Sequence, residues 1–147
     1  MRLALIVCVV ASVSACAGNA TGPSSGLNAV TATNIAGTWN GTMASSNNAT
    51  VQFTMVLTQS GSDVSGSWNS TTVSWDGQIS GAVSGSTFNG QLRFSGTAAN
   101  GTLCTGSANV VGPAAASTMT LTSASGVVGG SCPAPLPTGL KIDVQRQ

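Results

Sequence analysis

The sequence predicts an all-β domain of about eight strands, closed as an antiparallel up-and-down barrel, and three observations point there. Apolar residues recur at period two, and no stretch carries a helical period. A turn-centred motif repeats: Ser60-Gly61-Ser62-Asp63-Val64-Ser65-Gly66 matches Ser84-Gly85-Ser86-Thr87-Phe88-Asn89-Gly90. Glycines 66, 81 and 90 fall on the same side as the large apolar residues, where they permit the strong coiling of a small barrel.

The elements follow in order. A first strand over 35–43 is followed by one over 50–59, in which Val51, Phe53, Met55 and Leu57 alternate with Gln52, Thr54, Val56 and Thr58. A two-residue loop at Ser60-Gly61 leads into 63–69, pairing Leu57 with Val64, Met55 with Gly66 and Phe53 with Trp68. All the large apolar side chains then share one face, which fixes register. Asp76-Gly77 has the look of a hairpin turn, yet it would set Trp75 opposite Gln78 and Val73 opposite Ser80. A continuous strand over 72–83 instead keeps Val73, Trp75, Ile79 and Val83 together, with Gly77 a bulge or bend. The same loop at Ser84-Gly85 pairs Gly81 with Phe88 and Ile79 with Gly90, opening a strand over 87–95.

Strands over 102–111 and 117–123 come next. A looser third copy of the motif, Leu121 through Cys132, makes 127–132 an extra edge strand, with Met119 facing Gly130 and Ser117 facing Cys132. Leu140, Ile142 and Val144 alternate with Lys141, Asp143 and Gln145 in the last strand, 139–146. Short loops favour a meander, and closure into a barrel removes its sticky edges. A two-sheet β-sandwich is the alternative.

The N-terminus carries an address. Arg2 precedes an uncharged apolar run, Leu3 to Val13, too short for the roughly 20 residues of a membrane span, and Val13-Ser14-Ala15-Cys16 follows. This segment resembles the lipobox signal peptide of a bacterial lipoprotein. The resemblance implies loss of 1–15 (Cys8 included), a diacylglycerol on the Cys16 sulfur and an acyl chain on its amine. Two or more chains anchor stably. Ala17, where an Asp would favour retention in the inner membrane, points to the outer membrane, facing the periplasm or the surface. The alternative is an ordinary secretory signal with a cysteine near its cleavage site by chance. Residues 16–34 lack a sustained pattern and read as a Gly/Ser/Thr/Asn tether reaching on the order of 20–25 Å, which leaves 35–147 as the folded domain.

Without Arg2, the cations Arg93, Lys141 and Arg146 balance Asp63, Asp76 and Asp143. So few cations, with no basic run, argue against a nucleic-acid partner. Cys104 and Cys132 remain after lipidation, and an even pair in an oxidising compartment reads as a disulfide worth roughly 3–4 kcal/mol. With no histidine in the chain and no CxxC spacing, neither a metal nor another cofactor is implied.

Catalytic means are few. Acid–base work would fall to Asp63, Asp76, Asp143 or Lys141, which occupy turn or outward strand positions. The sequence therefore points to a non-catalytic module acting through its strand faces on an envelope protein or glycan, with the lipid bilayer as its anchor. The other expectation is a barrel enclosing a small apolar ligand, lined by Trp39, Phe53, Trp68, Trp75, Phe88 and Phe94. Gly37-Thr38-Trp39 resembles the Gly-x-Trp of the calycins, the lipocalins and avidins, and that resemblance implies a tryptophan plugging one barrel end. Avidin-type sites lean on tyrosine, which this chain lacks, so no ligand residue carries over.

Overall fold

The computed structural model describes residues 30–44, 50–97, 101–130 and 139–147. Eight strands form one closed antiparallel barrel in sequence order: β1 (Gly37–Ala44), β2 (Thr50–Ser60), β3 (Asp63–Ser70), β4 (Trp75–Ser84), β5 (Thr87–Thr97), β6 (Leu103–Pro113), β7 (Thr118–Gly130) and β8 (Leu140–Arg146). The closing seam pairs β1 with β8, Trp39 against Arg146 through Ala44 against Lys141. The sandwich alternative is thereby set aside.

The alternation expected from the sequence sets the wall. Phe53, Met55 and Leu57 on β2, Ile79 and Val83 on β4, and Phe88, Leu92 and Phe94 on β5 are buried inside. Their outward neighbours, including Thr58, Ser65, Gln78, Ser80 and Asn89, are exposed. A barrel that spans a membrane carries the opposite arrangement, an apolar band outward and polar residues within. This wall is built to meet water.

The hairpin loops lie one residue later than the sequence reading placed them. Both primed turn types require a positive φ at their first central residue, and Gly61 (φ 61°) and Gly85 (φ 58°) supply it. The loops are therefore Gly61-Ser62 and Gly85-Ser86, flanked by Ser60 against Asp63 and Ser84 against Thr87. Leu57 faces Gly66 and Met55 faces Trp68, while Ile79 faces Leu92 and Gly81 faces Gly90. Partners move by two positions, an even number, so every side chain keeps its expected face.

The third copy of the motif is not a hairpin. β7 runs unbroken, its first half paired with β8 (Met119 against Val144) and its second with β6 (Gly130 against Cys104). Aligned on the first copy, this segment has Ser125 where the others have their positive-φ glycine, so nothing favours reversal there. The misfit in length is absorbed by a bulge: register shifts between Asn109 against Ser125 and Val111 against Thr122. Two β7 residues thus oppose Val110 alone. Gly77, expected as a bulge, instead pairs regularly with Trp68 and Phe94. Val73 precedes β4 and is exposed, not part of the inward row.

A strap crosses the end of the barrel where the chain enters, and it begins within the expected tether. Thr33 donates its N–H to the Gly85 carbonyl at 2.8 Å. Gln59 accepts from the Ile35 N–H at 2.8 Å and donates to the carbonyls of Thr33 (3.1 Å) and Gly61 (2.9 Å). The Arg146 guanidinium donates to the carbonyls of Ala36 and Ala116, tying the C-terminus to the same end. Ile35, within this strap, is fully buried. Gln59→Ala should cost about 1–3 kcal/mol, since it removes the partner of the part-buried Ile35 N–H and Thr33 carbonyl; urea denaturation measures it.

Candidate functional site: a filled barrel and a polar groove on its wall

An eight-stranded barrel is just wide enough either to be filled by its own side chains or to hold one small ligand. Of the six aromatics expected as barrel plug or ligand lining, Trp39, Phe53, Trp68, Phe88 and Phe94 are buried inside and Trp75 is half-buried. Trp39 and Phe88 are 0 % exposed and Phe53 is 2 % exposed. The Trp39 indole N–H donates to the Ile35 carbonyl at 2.9 Å, which seats the ring beside the strap, at the entry end. Trp68 meets Phe53 edge-on at 5.9 Å and donates its indole N–H to the Arg93 carbonyl at 3.0 Å. To reach β5 from β3, that indole passes over Gly77, where any Cβ would lie 2.8 Å from its Nε1. The Phe88 ring similarly covers Gly81 and Gly90. At the far end Trp75, half-buried, lies on Gly96 and stacks with Phe94 at 5.4 Å. Large residues thus lie over glycines, and Ser123 is the one buried polar residue among those described.

Cys104 is buried on β6, opposite Gly130. Cys16 and Cys132 lie outside the described residues. The exposed valines Val56 and Val111 stand on β2 and β6, four strands apart, and form no common patch. Asp63 and Asp76 are exposed at strand ends. Among the described residues no three of His, Cys, Asp and Glu come together.

Asp143 does more than the sequence suggests. Closure of β1 on β8 sets Asp143 between Thr42 and Thr120. Its Oδ1 accepts from the Thr120 hydroxyl at 2.8 Å, and its Oδ2 pairs with the Lys141 ammonium at 2.7 Å. These contacts, Lys141 first and Thr120 second, hold the carboxyl below its ordinary value of 3.8. A carboxyl lowered on folding stabilises above its unfolded pKa and loses that contribution as pH falls through the folded value. Both partners are largely exposed, so Asp143→Asn should cost less than about 1 kcal/mol at neutral pH. The cost should shrink below pH 3.8, as thermal denaturation across pH would show.

A depression of about 490 Å³ opens on the outer wall around this carboxylate. One row of outward side chains across it is Thr120, Asp143, Thr42 and Gln52; the next is Thr118, Gln145 and Asn40. Asn40 Oδ1 is withdrawn from solvent and has no hydrogen-bond partner. Sequence reasoning missed Asn40, Thr42 and Thr120 because the registers of β1 and β7 on β8, which set them around Asp143, are not written in any local pattern. Their one signal was outward polar residues at alternate positions of both strands.

No family model, no curated protein and no solved structure matches this chain.

Proposed function

We propose that this chain is a non-catalytic, lipid-anchored protein of the bacterial cell envelope, held to the outer membrane through Cys16, whose barrel acts as an interaction module through its outer wall. What supports this reading best is the near-complete burial of Trp39, Phe53 and Phe88 inside the barrel, as expected of core side chains. The polar outward face supports a domain working in water at the end of a leash. A Cys104–Cys132 disulfide belongs to the same reading, and the pairing of Cys104 with Gly130, two residues short of Cys132, favours it.

Intact mass of the protein from a bacterial membrane fraction, before and after reduction, tests the anchor. The expected mass is that of residues 16–147 plus lipid, gaining two hydrogens on reduction; a mass without lipid removes the envelope role. Titration with an apolar fluorescent dye tests the wall against the interior. No saturable uptake is expected, and stoichiometric uptake would turn the reading to a calycin-like carrier of a small apolar ligand.

A further inference from the structure

We propose that the groove across β7, β8 and β1 is a binding site for a neutral polyhydroxylated ligand, a segment of oligosaccharide. This rests on the reading of the barrel as an interaction module, and it assigns that module a surface and a ligand chemistry. The groove's volume, about 490 Å³, lies within the roughly 300–1,000 Å³ usual for small-molecule sites. Apart from the Asp143 carboxylate, its outward side chains are amides and hydroxyls, which donate and accept alike, and Gly41, Met119 and Val144 complete the lining. Strands stand about 4.8 Å apart and alternate residues about 6.7 Å along a strand. The two rows therefore present a grid of hydrogen-bonding groups on the scale of a sugar ring.

Two features set this part of the wall apart from the Ser/Asn/Gln faces elsewhere. The single carboxylate, Asp143, is already neutralised by Lys141 and oriented by Thr120, so it offers acceptor oxygens without demanding a cationic ligand. Asn40 Oδ1 at the groove is a withdrawn acceptor left without a donor. Buried polar atoms are nearly always paired, so this acceptor is free to take a donor from a water or from another molecule. A turn of the Asn40 amide toward the groove lets a ligand hydroxyl, directly or through one ordered water, supply the donor.

The test is amide chemical-shift mapping of the folded protein titrated with maltotetraose and with a β-1,4-linked N-acetylglucosamine tetramer. Saturable millimolar shifts confined to β7, β8 and β1 are expected for at least one of them. Gln145→Ala and Thr118→Val should each weaken that binding about tenfold with an unchanged melting temperature, since neither side chain is buried. Gln78→Ala, exposed on β4, should leave it intact. No shifts with either sugar would overturn the proposal, leaving a water on Asn40. So would shifts elsewhere on the barrel, or binding restricted to a cationic glucosamine oligomer, which would make Asp143 an anionic site. Dye uptake into the interior would fail the packed-module reading without touching these shifts, so the two failures are separable.

Discussion

Gly90→Val should destabilise the domain by more than the usual 1–3 kcal/mol of an overpacked core. Gly90 faces Gly81 across the β4–β5 ladder, and the Phe88 ring lies over both. A Cβ at Gly90 would strike the Ser80 carbonyl oxygen and come within 2.6 Å of Phe88 Cζ. The ring could swing away only into neighbours that already fill the barrel, and the carbonyl cannot move without disturbing the ladder. Domains of this size hold roughly 5–15 kcal/mol in all, so chemical denaturation should show the midpoint falling steeply or the fold lost. Ser65→Val supplies the control. Ser65 points outward and is exposed, and its change should stay within about 0.5 kcal/mol. The opposite ranking would mean that glycines 66, 81 and 90 do not face the core.

The sequence carried the wall of this barrel and its closure, but not the register of the seam. Period-two alternation over 51–58 and 140–145 was enough to say which side chains face inward, because a shift of one residue would reverse every side chain and expose the core. Shifts of two are invisible to that criterion. The loops at Gly61-Ser62 and Gly85-Ser86 were therefore read one residue early, and only the positive φ of the glycines settles them. Similarity of residues alone suggested a hairpin near 124–125, where Ser125 replaces the needed glycine. The groove was illegible for a different reason. Asn40 and Thr42 are separated from Asp143 and Gln145 by about a hundred positions, and nothing local announces the register in which β1 and β8 pair. The strap was hidden likewise: Gln59 looked like an ordinary strand residue, and its amide reaches Thr33 and Ile35 only across the closed end.

Trp39→Ala should be the most damaging truncation, costing about 3–5 kcal/mol. The indole is 0 % exposed beside the fully buried Ile35, and its N–H satisfies the Ile35 carbonyl. Truncation would open a void and leave that carbonyl without its donor, so Trp39→Phe should recover part of the packing but not the hydrogen bond. The same variant separates core from carrier. A cavity walled by apolar side chains stays dry and takes up small apolar molecules, so Trp39→Ala should bind benzene or xenon with a rise in melting temperature proportional to the logarithm of ligand excess. The parent protein should show no such rise, because the tryptophan already occupies that volume. A parent that binds as well as the variant would place a pre-existing hollow inside the barrel, and its aromatics would then be lining a site instead of filling one. A variant that unfolds outright still leaves Trp39→Phe, whose smaller void should admit xenon but not benzene, to decide between those outcomes.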